Sequence, residues 1–563
     1  MPHALGMPFP GFQAIILCGP GVSLNTFTAN PEDFPKALVP IANRPMVWYP
    51  LDWCYRMGIT NVNLITPPSS ANAIQTALAQ NPHLTSLPLP KPNILSPESL
   101  SQNTPTAEIL RHPEVQAAIT GDFLVLPCDL VCELPGESLI EAWMINQGGL
   151  GGASLSSDDY GGPKMGLGGE SGGRRGGLGV WFETKGEDST KGTETDFVIT
   201  TSLFQPAAPP PQGSLRPHIF KLLYSTTTDT LRDITEENKG FPIRHGLIRK
   251  HGKIRMLTTH RDAHIYLFPY WVLEMIKHNE HFDSISEDVV GWWAKAGWQD
   301  GLAEKLHLRE MFDPTSSSEA NEGESGSHAS GNVKDDIDLA SMSSTHTSAL
   351  RPSYTNSATT TKPINPPLSI PPILSYIHPT APSTPLIRRV DNSHLLLHTS
   401  LYLATLPPTD SPPPDTTPSP LSHRQKISST LIAEKTNIHA PTTLIAPNTT
   451  IATHSVIKTS VIGANCVIEA GVRLTGCLLM DGVTVGEKSV LQGCIVGRRA
   501  VVGRECGLRE CEVQEGFRVE DRMEEKGHKF MVFDGLEEGG AEDGEGEDVQ
   551  EEGGMVVEGT DED

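Results

Sequence analysis

No stretch of roughly 18 consecutive apolar residues occurs in this chain, so no transmembrane helix is expected. The opening segment, Met1 to Pro10, has no Lys or Arg, and no cleavable signal pattern follows it. Cysteine is sparse, odd in number at nine, and never spaced as CxxC, which argues against a disulfide scaffold and a structural zinc site. Bases are also short: 43 Lys and Arg stand against 68 Asp and Glu, for a formal charge of −25. Such a balance disfavours direct nucleic-acid binding, which needs a basic surface. These absences point to the cytosol, with neither membrane nor nucleic acid as a partner.

What remains suits a globular chain of several parts. The hydrophobic fraction is 37%. At about 150 residues per domain, 563 residues predict two to four units. The 47 prolines exceed the usual share of about 5%, so part of the chain is expected to be linker. Fourteen of the acids fall between Asp534 and Asp563, where no base occurs, so much of the negative charge belongs to a solvated tail.

Composition divides the chain into zones. Residues 11–310 alternate strand-like runs, such as Ala14 to Leu17, Val62 to Ile65 and Phe123 to Leu126, with helix-like stretches. That order predicts a parallel α/β sheet, with a Gly-rich insertion near 148–179. Ser286 to Trp298 reads as a helix capped by Ser286, with Trp292, Trp293 and Trp298 forming a surface patch. His260 and His264 flank Asp262 in a strand-like run, where packing is preferred to metal binding. Residues 311–430 form a Ser/Thr/Pro-rich linker with short strands near 371–406, including Ser393 to Leu397. Residues 534–563 form an acidic, disordered tail.

Residues 431–533 carry the sharpest pattern. Spacings of 6, 6 and 5 lead through Ile445, Ile451, Ile457, Ile462, Ile468, Leu474, Leu479, Val485, Leu491, Val496, Val502, Leu508, Val513 and Val519. Every one is Ile, Leu or Val, and three spacings make a period of 17 residues. The residue two before each apex is mostly small, as at Thr449, Ser460, Cys477 and Ala500, with Phe517 the exception. A three-sided parallel β-helix requires this, because both positions point toward a crowded axis. Cys477, Cys494 and Cys511 should then stack as a buried ladder, while Gly463, Gly486, Gly497 and Gly503 suit turns.

The N-terminal zone carries a candidate phosphate loop. Strand Ala14 to Leu17 leads into Cys18-Gly19-Pro20-Gly21, whose backbone N–H groups could approach a phosphate. Lys36 follows in Pro35-Lys36-Ala37-Leu38-Val39-Pro40-Ile41-Ala42-Asn43-Arg44-Pro45. Asp129, at the end of Leu124-Val125-Leu126-Pro127-Cys128, is either a metal-type carboxylate or a turn residue.

This constellation resembles the sugar-phosphate nucleotidyltransferases. Those enzymes have Arg or Lys where this chain has Ser23, and Gly where it has Pro105. The resemblance implies a Rossmann-like nucleotidyltransferase fold whose chemistry is lost, since phosphoryl chemistry needs cationic charge. The pairing with a left-handed β-helix is similar to GDP-mannose pyrophosphorylases and to subunits of eukaryotic translation initiation factor 2B. The segments Asn43 to Leu51, Val125 to Leu130, Asp262 to Tyr266 and Val461 to Thr484 most resemble the gamma-subunit family of that factor.

That resemblance implies a non-catalytic subunit of a guanine-nucleotide exchange complex. Its partners would be the epsilon, alpha, beta and delta subunits and initiation factor 2. No catalytic residue and no metal are implied. Gly19, Gly21 and Lys36 would be a vestigial nucleotide site with at most weak GTP or GDP binding, and Asp129 a vestigial metal candidate. The alternative is an active guanylyltransferase of the GDP-mannose pyrophosphorylase type, using Lys36, Asp129 and magnesium.

Overall fold

The computed structural model describes residues 11–19, 22–101, 104–147, 175–184, 193–203, 209–210, 212–312, 370–380, 384–410, 418–428 and 431–532. Most of the Gly-rich insertion, the 313–369 tract and the acidic tail lie outside them.

The N-terminal strands, in chain order, are β1 (Gln13–Leu17), β2 (Pro40–Ile41), β3 (Arg44–Pro45), β4 (Val62–Ile65), β5 (Asn93–Leu95), β6 (Phe123–Pro127) and β7 (Leu130–Cys132). They continue with β8 (Gly177–Glu183), β9 (Asp196–Ser202), β10 (Ile219–Thr227), β11 (Ile254–Phe268), β12 (Ile373–Ile377) and β13 (Ile387–Arg389). Nine of them form one sheet in the order β5-β4-β1-β6-β11-β8-β12-β10-β9. Helices such as Trp48–Arg56 and Pro68–Gln80 separate the first strands. Covering layers explain why β6 is apolar along its whole length and buried at every residue.

The sheet is parallel only in part. Strands β5, β4, β1 and β6 run parallel. The 15-residue β11 then runs antiparallel to β6 and β8 and reaches β9 as well. The alternation of strands and helices near the N-terminus predicts a parallel sheet. That alternation fails after β8, where β9 and β10 follow with no α-helix between them among the described residues. Strand β12, from beyond residue 370, inserts between β8 and β10.

Three local expectations are corrected. Ser393–Thr405 is a helix rather than a strand: Asn392 Oδ1 accepts the Leu395 N–H at 2.8 Å, and Leu395, Leu396, Thr399, Ser400 and Leu403 are buried at helical spacing. Ser284, not Ser286, caps the next segment, because Ser284 and Glu287 stand at capping-box spacing and Ser284 Oγ accepts the Glu287 N–H at 3.4 Å. The tryptophan patch also dissolves. Trp293 and Trp298 are buried and donate their indole N–H groups to the carbonyls of Pro371 and Leu223, both at 2.8 Å, leaving Trp292 half-buried.

From Leu431 onward the chain winds into three six-stranded parallel sheets, a left-handed β-helix. From Leu444 onward strand partners differ by 17 residues, as in Ile451 with Ile468 and Ile468 with Val485, while in the first turn Leu431 pairs with Thr450 and Asn437 with Val456. All fourteen apex residues are at most 1% exposed, which makes one continuous interior column. Cys477, Cys494 and Cys511 are buried beside it, their thiols donating to the carbonyls of Thr475, Gln492 and Arg509. Gly463, Gly486, Gly497 and Gly503 are glycine for a reason other than turn conformation. A Cβ on Gly486 would stand 2.7 Å from the backbone of Gly503, and the other three are equally crowded. Left-handed corner positions fall instead at residues such as Gly471, Gly482 and Gly493.

One outer side of the coil is apolar. Leu444, Val461, Leu478 and Ile495 point outward at 17-residue intervals, yet none is more than 3% exposed. They join the N-terminal core, where the helix Ser393–Thr405 lies against them. Each such side chain contributes about 1.5–3 kcal/mol on burial. The next position in the ladder is Glu512, whose carboxylate accepts from Thr26 Oγ1 at 3.0 Å. Asn43 Nδ2 donates to the Ile462 carbonyl at 2.9 Å, and Arg498 lies over the Phe34 ring.

Candidate functional site

Strands β1 and β6 are parallel neighbours, so their carboxyl ends open at the same edge, the usual place for a ligand in such a sheet. Gly19 follows β1 there and is exposed, with open space around it. Gly21 lies outside the described residues. Ser23 is exposed on a short turn, Val22–Leu24. Lys36 opens the turn Lys36–Leu38 and reaches toward β6.

Lys36 meets Asp129. Its Nζ lies 2.7 Å from Asp129 Oδ2, and Arg389 Nε lies 3.4 Å from Asp129 Oδ1. Both carboxylate oxygens therefore face cations. Burial alone would raise the Asp129 carboxyl, but Lys36 and Arg389 overturn that and hold it well below the usual carboxylate range. Burial would lower Lys36, and Asp129 instead carries it above its ordinary value. Asp129 lies in the turn between β6 and β7, and its carbonyl accepts the Val390 N–H at 2.8 Å as the β7–β13 pairing continues past Leu130.

Arg389 was not foreseen. It stands 260 residues from Asp129, in a stretch expected to be linker. Register explains it: β13 pairs antiparallel with β7, setting Arg389 opposite Leu130, next to Asp129. A basic pair, Arg388-Arg389, inside an otherwise apolar and Pro-rich region was the only available signal.

A second charged group adjoins this pair. Asp262, on β11, is buried; its carboxylate accepts the Tyr266 hydroxyl and, at 2.8 Å, the His264 N–H. Its own N–H donates to Asp196 Oδ2 at 2.6 Å. Burial, then the neighbouring Asp196, pushes the Asp262 carboxyl up to about 7. His264, at a left-handed φ of 52°, is driven well below the usual imidazole range by burial and by Arg389. Arg261 forms a two-pronged pair with Asp391. His260 is buried and its Nδ1 lies 3.1 Å from Thr259 Oγ1, so the two histidines do not converge on a common point with Asp262 as ligands.

Among the described residues, no group of three or more His, Cys, Asp or Glu side chains is arranged to hold a metal ion. A divalent cation at Asp129 would have to displace Lys36 or Arg389 from a buried carboxylate, so the residues present do not fit one. Lys36 is likewise engaged by a carboxylate rather than presented to a phosphate. The cluster is built to cancel charge internally.

A family model described as the EIF2B subunit epsilon LbH domain matches residues 423–524. The matched stretch lies in the β-helix and is similar to that domain. Translation initiation factor eIF2B subunit gamma of Schizosaccharomyces pombe (strain 972 / ATCC 24843) is 25% identical over 304 residues, covering 54% of this chain and 55% of that protein. The chain thus spans about half the length of the curated relative it matches. The matched stretch begins at His423 and includes every apolar rung that meets the N-terminal domain. No helix among the described residues is long and apolar enough to cross a membrane.

Proposed function

We propose that this chain is a gamma-type subunit of the initiation factor 2B complex. In that role it supports GDP-to-GTP exchange on initiation factor 2 in the cytosol without performing chemistry itself. Its partners are then the epsilon subunit and the alpha, beta and delta subunits. The matching domain is that of an epsilon subunit and the relative is a gamma subunit; gamma is preferred because that likeness extends over 304 residues rather than the coil alone.

The observation that carries the non-catalytic part is the Lys36–Asp129–Arg389 cluster. A transferase site needs its cations directed at the phosphates and its carboxylate free for metal. Here the groups satisfy each other, and the position held by a loop cation in nucleotidyltransferases is the exposed Ser23. The same pairing leaves at most weak GTP or GDP binding at Gly19 and Lys36.

Affinity purification of the tagged full chain from its own cells tests the assignment. The other initiation factor 2B subunits should accompany it in fixed ratio, and their absence sinks the proposal. Incubation with GTP, mannose 1-phosphate and magnesium should give no GDP-mannose; ordinary turnover would establish the transferase alternative instead.

A further inference from the structure

Three sizeable cavities lie away from the Asp129 cluster among the described residues; one, lined by Lys221, Lys250, His251 and Lys253, is a shallow surface with no Phe, Tyr or Trp, and two deeper ones remain. One, of about 800 Å³, sits between the N-terminal domain and the coil and is lined by Glu32, Asp33 and Asp481 as well as Arg498 and Arg499. Opposite charges there cancel, and the cavity favours no ligand class.

The other differs in kind. It measures about 570 Å³, within the range of small-ligand sites, and opens where β9 and β10 meet the helix Val290–Ala296. Tyr224, Phe241, Trp292 and Trp298 contribute aromatic surface. Phe241 is braced, stacked on Tyr224 with ring centroids 6.2 Å apart and edge-on to Phe197 at 5.0 Å. Trp298 is fixed by its N–H bond to Leu223.

The charge of the lining is one-sided. Arg244, Lys295, Lys305 and His281 face the cavity and no Asp or Glu does, in a chain that carries 68 acids against 43 bases. Lys295 is the central cation. Its Nζ lies 4.2 Å from the Tyr224 ring centre and 4.7 Å from that of Trp292, with no carboxylate within ion-pair distance among the described residues. Burial first, and Arg244 second, push its pKa down to about 8, against the opposing pull of Asp288. A half-buried ammonium held on ring faces and repelled by a guanidinium gains from an incoming anion.

We propose that this pocket binds a small planar anion: an aromatic or heteroaromatic ring that packs against Trp292 and Phe241, carrying a phosphate or carboxylate that Lys295 and Arg244 receive. The site is separate from the Gly19–Lys36 loop and does not depend on the function proposed above.

The test uses the full chain, with AMP as the phosphate probe, 1-naphthoate as the carboxylate probe, and adenosine and inorganic phosphate as half-probes. Calorimetry and tryptophan fluorescence read binding. At least one anionic probe should bind at submillimolar concentration and perturb the fluorescence, and the better of the two identifies the anion. Both half-probes should be about tenfold weaker or worse, the size expected for losing one charge-assisted contact or the ring packing. Lys295→Met should weaken binding by about tenfold, as should the exposed Arg244→Gln, which guards against a folding defect at Lys295. Ser23→Asp, which sets a negative charge on the Gly19 loop without touching the buried cluster, should leave it unchanged. Silence of both probes at millimolar concentration overturns the proposal. So does half-probe binding as tight as that of the anions, or loss of binding in Ser23→Asp with retention in both pocket variants.

Discussion

The coil interior and the Asp129 cluster are both buried, yet they are stabilised by opposite means. In the coil, each rung repeats its neighbour: Leu474, Leu491 and Leu508 occupy equivalent places 17 residues apart, all fully buried. In the cluster every group is singular, and Asp129 is held by Lys36 from a turn and Arg389 from a distant strand. Apolar packing in a repeat can tolerate a defect by sharing it between neighbouring rungs. A charge cluster cannot, since removing one partner strands the others.

The largest effect should therefore come from the cluster. Asp129→Ala leaves two half-buried cations facing each other and should cost about 3–5 kcal/mol in chemical denaturation. Adding Lys36→Met should return part of that loss, so a double-mutant cycle that is strictly additive would break the comparison. In the coil, Leu474→Ala, Leu491→Ala and Leu508→Ala should each cost about 2–5 kcal/mol and resemble one another. Widely different values would show that the rungs are not equivalent.

Asp262 sharpens the contrast by pH. With its carboxyl raised to about 7, the protonated form is the one the fold favours. Stability from that group is full below its ordinary value near 4 and is lost as pH rises through about 7. Asp262→Asn, which stays neutral, should raise stability by on the order of 2–4 kcal/mol at pH 8 and change little at pH 4, read from melting curves across that range. The smallest effect belongs to the outer coil. Glu505 lies between Lys488 at 3.4 Å and Arg522 at 3.2 Å, but the whole ladder is in solvent. Glu505→Gln should leave the melting temperature unchanged within error, because exposed pairs are screened.

The same contrast governs what could be read from the amino acids. The column from Ile445 to Val519 was legible because one rule repeats through it. So was the Gly19–Lys36–Asp129 neighbourhood, since strand ends of a parallel sheet converge. Arg389 was not, because its place depends on the register of β13 against β7, a contact with no local sequence trace. The helix at Ser393 was hidden by a run of three leucines that suits either structure; Asn392 was the distinguishing residue. The tryptophans show a subtler limit. Adjacent residues on a helix cannot share one face, so a patch holding both Trp292 and Trp293 was at odds with the helix itself; which of them turns inward follows from the carbonyl of Pro371 that receives Trp293.

Glu512 has a consequence for alignment. A coil of identical turns is a track on which a docked body could sit equally well one step up or down, each step being about 4.8 Å. Leu444, Val461, Leu478 and Ile495 supply such a uniform track and by themselves specify no stopping point. The carboxylate that follows them ends the apolar run and is held by Thr26, so a slide of one turn would set an acid where the N-terminal domain presents hydrocarbon. A single charge thereby gives a periodic surface an origin.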